Sequence, residues 1–204
     1  MNNYHYIVAG LPVISPDWKP GDKKPDDIRQ EILECCSSKD KELISLLESG
    51  FIQENMTEEF YRKAVTHKNR FIREYFRFDL NVRNAKVRYL NSALGRNPDK
   101  DVVDLNEKDN APAFEESGKL DAILQGKDIL ERERAIDGIM WNKIDEITVF
   151  DYFDIEAILA FLAKLHIVER WYTLDEKTGR EMFRKLVDEV RGTFKGVEYD
   201  SGKN

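Results

Sequence analysis

From Asp26 onward, apolar residues recur at intervals of three and four, the spacing of an α-helix with one buried face. Asp26 to Cys36 places Ile28, Ile32, Leu33 and Cys36 on one side, and Asp40 to Glu48 places Leu43, Ile44, Leu46 and Leu47 ahead of a stop at Gly50. Thr57, followed by Glu58 and Glu59, predicts a helix start: its hydroxyl can accept the first free amides, and the acids suit the positive end of the helix dipole. Behind it run Phe60, Ala64, Phe71, Tyr75 and Phe78, with Tyr61, Val65, Ile72 and Phe76 as a second stripe. That predicts one long helix with two packed neighbours. Asp79 then restarts or continues the helix through Leu80, Val87 and Leu94 to a stop at Gly95.

The second half reads similarly. Leu120 to Leu124, Ile129 to Ile136 and Ile139 to Ile147 predict three shorter helices, and Ile155 to Trp171 is apolar around almost its whole circumference, the mark of a central helix. Thr173 with Glu176 forms a capping box for a last helix, whose stripe is Phe183, Leu186, Val187, Val190 and Phe194. Tyr4 to Ile14 fits a short extended piece or an irregular helix, and Ser15 to Pro25, with three of the six prolines, reads as a linker. The pattern predicts an all-α multi-helix bundle with a possible short extended N-terminal segment. Its divisions are an N-terminal half at residues 1–96, an acidic linker or mobile loop at 97–118, and a C-terminal half at 119–204.

The halves share a phrase. Phe78-Asp79-Leu80-Asn81 corresponds to Phe153-Asp154-Ile155-Glu156, 75 residues on, each preceded by aromatics, with Ala85 matching Ala160 and Leu90 matching Leu165. Either both aspartates cap helices in a duplicated unit, or two well-capped helices resemble each other by chance.

Composition narrows the class. The chain has 204 residues, 41% of them apolar, with 11 Gly and 6 Pro, which excludes disordered and collagen-like sequences. The adjacent Cys35 and Cys36 cannot form a relaxed disulfide and are expected as reduced thiols. The segment Tyr6 to Ile14 has no basic residues before it and is interrupted by Gly10 and Pro12, so it does not read as a secretion signal; the expected compartment is the cytoplasm, with any membrane contact made through a partner. The net charge is −7, unevenly spread: residues 60–96 carry ten Lys and Arg against Glu74 and Asp79, and the acidic stretch 97–157 follows directly. An acidic neighbour can compensate a basic segment, and the overall acidity opposes a phosphate backbone, so no nucleic acid is expected.

Candidate chemistry is sparse. Gly118-Lys119 and Gly126-Lys127 lack the upstream glycine and following hydroxyl of a phosphate loop. His5, His67 and His166 stand far apart, and His166 with Glu169 offers two of the four ligands a metal site needs. Neither cysteine has a histidine at motif spacing, so no nucleophile is apparent. The expectation is therefore no catalytic residue, no metal, no cofactor and no small-molecule substrate. Asp145, Glu146, Asp151, Asp154 and Glu156 could supply a carboxylate pair, or serve as caps and a solvated face. Asn84 and Asn91 fall near the Leu80/Val87/Leu94 stripe, where a buried amide must be hydrogen-bonded, and so are expected to fasten that helix to backbone elsewhere. Trp141 and Trp171 read as packing residues, and Trp18, in the linker, as a candidate exposed contact.

Three blocks carry a resemblance: Tyr4-His5-Tyr6-Ile7-Val8-Ala9-Gly10-Leu11-Pro12; Phe78-Asp79-Leu80-Asn81-Val82-Arg83-Asn84; and Trp141-Asn142-Lys143-Ile144-Asp145-Glu146 leading to Tyr152-Phe153-Asp154-Ile155-Glu156 and Glu169-Arg170-Trp171. Together they resemble an uncharacterised bacterial family encoded among V/A-type ATPase genes. More distantly, the blocks around Asn81 and Glu156 are similar to repeated helices of the C-type (in eukaryotes, d-type) component of those ATPases, an all-helical adaptor that seats the central stalk on the rotor ring. Three such units make up that adaptor, whereas this chain offers at most two. The resemblance implies a non-catalytic helical subunit or assembly factor whose partners are other ATPase subunits, in the central stalk or the rotor ring. Arg73, Arg77, Arg83, Arg88 and Trp18 are the expected partner contacts. The alternatives are a small enzyme built on the acidic cluster and a generic helical binding module.

Overall fold

The chain that the periodicity runs together from Thr57 to Phe78 is cut at Thr66–Asn69 in the computed structural model, which describes residues 4–19, 21, 23–105 and 114–173. Among these, eight α-helices and one 3-10 turn form, with no strand: α1 Tyr4–Gly10, α2 Pro25–Cys35, α3 Ser38–Ser49, the 3-10 turn Gln53–Asn55, α4 Glu58–Val65, α5 Arg70–Ala93, α6 Ser117–Leu124, α7 Ile129–Ile147 and α8 Ile155–Thr173. The protein is an all-helical bundle, as its periodicity predicts.

Thr57 does open a helix, its hydroxyl accepting from Phe60 N at 3.2 Å. The helix lasts only eight residues, because Asn69 starts another, accepting from Ile72 N at 3.0 Å. A cap competes locally with helix continuation, and here it wins. Two boundaries that the sequence leaves open are decided, and a third departs from it. The N-terminal segment is helical rather than extended, with Ile7 buried and the Tyr4 hydroxyl donating to Asp40 at 2.9 Å. The helix α5 runs unbroken through Asp79 for 24 residues, about 36 Å at the usual rise. The helix α7 is continuous across Gly138, because Ile136, Ile139, Met140, Ile144 and Ile147 all bury on one side. Burying that face outweighs the roughly 1 kcal/mol that a helical glycine costs. The capping box at Thr173 and Glu176, and the stripe from Phe183 to Phe194, lie outside the described residues, as do residues 106–113 of the acidic linker.

Two antiparallel pairings set the frame. Along α5 and α7, Arg70 bonds the Ile147 carbonyl, Lys143 sits over Phe78 at 5.5 Å and Lys86 reaches Glu133 at 2.9 Å. Along α7 and α8, Lys164 pairs with Asp145 and Arg170 with Asp137. The apolar helix α8 lies at the centre, touching α1, α2 and α3 as well as α5 and α7. Ile158, Leu159, Leu162, Ala163 and Leu165 vanish from its surface, and one continuous apolar cluster joins Ile7 in α1 to Ile167 in α8.

Two glycines are structurally required, for different reasons. A Cβ on Gly50 would lie 2.3 Å from the Phe76 ring, so the end of α3 sits directly on α5. Gly95 adopts φ +65°, the left-handed conformation that closes α5, which a glycine takes without strain.

Candidate functional site

The basic residues of α5 face into the molecule more than their sequence suggests. Arg73 donates to the His67 carbonyl at 3.1 Å, and Arg77 reaches the Val65 carbonyl at 3.5 Å. Arg77 thus closes the end of α4, where the free carbonyls and the negative end of the dipole attract cations, and Arg73 holds the turn that follows it. Arg70 spans to Asp151, and Asn69 donates to Glu156 at 3.0 Å, which ties the start of α5 to the α7–α8 turn. Of the four arginines expected to meet a partner, Arg73, Arg77 and Arg83 are half-buried, and only Arg88 is exposed, paired with Asp99 at 2.9 Å. Trp18 is half-buried too and packs against the core.

Below this, Tyr61 of α4 donates its hydroxyl to Asp79 at 2.6 Å, with the Arg83 guanidinium beside the same phenol. Burial pushes the Asp79 carboxyl up from its ordinary range, against the opposing pull of Tyr61, Arg83 and Lys86. Burial likewise raises Tyr61, helped by the neighbouring carboxylate. About two helical turns beyond Asp79, Lys86 meets Glu133, and Arg170 bridges Glu133 at 3.8 Å to Asp137. Asp137 is buried and also accepts from the Trp171 indole at 2.6 Å. Its carboxyl too is raised by burial, opposed by Arg170 and Trp171. Arg134 lies over the Trp171 ring at 4.7 Å, and Lys164 over Trp141 at 4.9 Å. A ladder of polar groups thus links α4, α5, α7 and α8, each rung joining two helices. Tyr61 is its least legible member, since its place on an apolar stripe conceals the hydroxyl partner.

The two amides of α5 hold chain rather than ligand. Asn84 donates to the Val103 carbonyl at 2.9 Å and accepts from Val103 N at 3.1 Å, while Asn91 donates to the carbonyls of Pro98 and Lys100. Residues 98–103 are thereby strapped along α5. Asn81 borders an open groove of about 610 Å³ beside α6, lined also by Arg88, Tyr89, Phe114 and Asp121.

The acidic cluster is divided. Asp145 and Glu146 pair with Lys164 and Lys143 on the outside of α7 and α8. Asp151 is held by Arg70, and Asp154 accepts from Ala157 N at 3.0 Å as the cap of α8. Glu156 accepts from Asn69, and its carboxyl is raised, chiefly by burial, then by the charges of Asp154 and Asp151.

The histidines also separate. His166 stacks on Phe51 at 4.0 Å, and burial lowers it to about 4. His67 is lowered by burial and by Lys63, Arg73 and Lys68, at the edge of an open groove of about 740 Å³ between α3 and α4. A third open groove, of about 590 Å³, lies between α1 and α2. The four raised acids Glu48, Asp79, Asp137 and Glu156 line none of these three grooves. Cys35 is exposed and Cys36 buried, both as free thiols, and burial raises Cys36 to about 11. Among the described residues, no three His, Cys, Asp or Glu side chains gather as metal ligands, and no helix is long and apolar enough to cross a membrane.

The family model described as "Protein of unknown function (DUF2764)" matches residues 52–193, from the 3-10 turn past the end of α8. No curated protein and no solved structure matches the chain.

Proposed function

The chain belongs to this family of unknown function, and on that premise we propose that it is a non-catalytic helical adaptor or assembly subunit of a V/A-type ATPase, in the cytoplasm and reaching the membrane through that complex. The observation that carries the reading is where the charged chemistry goes. Perturbed carboxylates are the usual pointers to a reaction centre. Here Asp79, Asp137 and Glu156 each hold one helix to another. Bonds of this kind stiffen a bundle, and stiffness is what a part that positions or transmits force between subunits requires. The blocks that resemble the stalk-seating adaptor of these ATPases supply the expected complex.

The proposed contacts change with the fold. Charge reversal at Arg73, Arg77 or Arg83 would attack the α4–α5 junction itself, so loss of association in those variants would not separate contact from unfolding. Arg88 is the basic position suited to that test. The reading is tested by purifying the tagged full chain from its native cells and identifying what accompanies it. Stoichiometric recovery of ATPase subunits is expected. Preparations free of them, from cells in which the ATPase is abundant, overturn the reading.

A further inference from the structure

The turn between α7 and α8 breaks the rule that large apolar side chains face inward. Val149, Phe150, Tyr152 and Phe153 fall within five residues and are 55%, 83%, 66% and 47% exposed. Such clusters are uncommon on monomers and mark surfaces that another molecule covers.

This turn is also held in place. Phe153 stacks on His5 of α1 at 4.2 Å, Asp151 N donates to the Thr148 carbonyl at 3.0 Å, the Asp151 carboxylate is gripped by Arg70, and Asp154 caps α8. A turn whose backbone is fixed in advance loses little freedom on binding, so more of the area it buries appears as affinity. The charge around them is negative. Asp151, Asp154 and Glu156 stand against Arg70, close enough for the first two to raise the carboxyl of the third. That excess opposes an anionic lipid surface and favours a cationic protein partner.

We propose that the Val149–Phe153 turn is a docking site for a cationic amphipathic helix of a partner protein, whose apolar face covers Phe150 and Tyr152 and whose Lys or Arg side chains meet Asp154 and Glu156. The proposal deepens the adaptor reading and rests on it for the complex that supplies such a helix. Phe150 and Tyr152 are the anchors, and the carboxylates set orientation and encounter rate.

The test uses the full chain and two 18-residue helical probes of one pattern, one of Leu and Lys, the other of Leu and Glu, followed by fluorescence anisotropy and by amide NMR shifts. The Leu/Lys probe should bind and shift amides 149–154. The double variant Phe150→Ser/Tyr152→Ser, with an unchanged thermal midpoint, should weaken it at least tenfold, roughly what removing two interface anchors costs. The pair Asp154→Asn/Glu156→Gln keeps the cap and the Asn69 contact, and should weaken binding severalfold and flatten its salt dependence. Equal affinity for both probes, or no loss in the double variant, overturns the proposal. Binding of the chain to anionic vesicles that vanishes in the double variant also overturns it, by assigning the turn to lipid.

The native-cell purification then separates the two readings. ATPase subunits recovered with the wild-type chain and lost from the double variant support both. Equal recovery with either chain overturns the docking site and leaves the adaptor reading standing. Recovery with neither, while the Leu/Lys probe still binds at the turn, overturns the adaptor reading and supports the site.

Discussion

Phe78-Asp79-Leu80-Asn81 and Phe153-Asp154-Ile155-Glu156 are near-identical in residue type, yet the fold uses them in opposite ways. Phe78 is buried in the middle of α5, packed edge-on against Phe114 at 5.5 Å, and Asp79 is a half-buried rung bonded to Tyr61. Phe153 stands outside the first turn of α8, half exposed on His5, and Asp154 caps that helix. The positions that continue the correspondence diverge as well: Leu90 is 53% exposed and Leu165 is fully buried. An aspartate before an apolar run caps a helix only where no helical turn precedes it. At Asp79 the preceding turn is already formed from Arg70, so the side chain is free to bond across to α4.

The apolar pair should separate the two stretches most strongly. Phe78→Ala and Leu165→Ala should each cost about 3–5 kcal/mol, the range for emptying a large core site. Phe153→Ala and Leu90→Ala should stay within about 1 kcal/mol, as surface changes do. Urea denaturation checks all four, and comparable costs on the two sides would dissolve the contrast.

A smaller gap is expected between the aspartates. Asp79→Ala leaves the buried Tyr61 hydroxyl without its acceptor and should cost about 2 kcal/mol. Asp154→Ala removes one cap and should cost about 1 kcal/mol. A larger loss at Asp154 would mean that the α8 cap matters more than the α4–α5 rung.

The gentlest probe is pH. Because burial raises Asp79 above the ordinary 3.8, the folded chain holds its proton longer than the unfolded chain does. Its contribution is therefore fully present at acid pH and declines as pH rises through the window above 3.8. Asp79→Asn should remove that decline from a series of thermal midpoints. His166 acts with the opposite sign: lowered to about 4 from the ordinary 6.5, it contributes stability near neutrality that is lost as pH falls through that interval. His166→Gln should remove this loss and flatten the acid limb, whereas Asp79→Asn should steepen it, and the double variant should fall between the two.

Much of the bundle follows from periodicity because burial of one face is a local, repeating demand. The faces of α2 and α3, the apolar circumference of α8, and the need of Asn84 and Asn91 for backbone partners all follow from residue type and spacing. Breaks are harder to read. Thr66-His67-Lys68-Asn69 interrupts a stripe that remains in phase by residue count, and only the Asn69 cap, with Arg73 and Arg77 on the carbonyls of Val65 to Lys68, makes the corner stable. Spacing alone divides Ile129–Ile136 from Ile139–Ile147, and packing joins them into one helix across Gly138. Charge alone marks the arginines of α5 as expected partner contacts. Charge gives no hint that three of them are half-buried, Arg77 closing α4, Arg73 holding the turn after it and Arg83 lying beside the phenol that donates to Asp79.

The sequence by itself determined the helical class, the central helix and which polar side chains could not be left unbonded inside, because these depend on spacing of three and four residues and on the cost of burying an unpaired group. Tertiary structure alone decided which aspartate caps and which bridges, which arginines are consumed internally, and that four large apolar side chains remain on the α7–α8 turn. The bridging outcomes depend on residues far apart in the chain meeting in space, as Tyr61 meets Asp79 across 18 positions and Asn69 meets Glu156 across 87, and no local pattern records such a meeting.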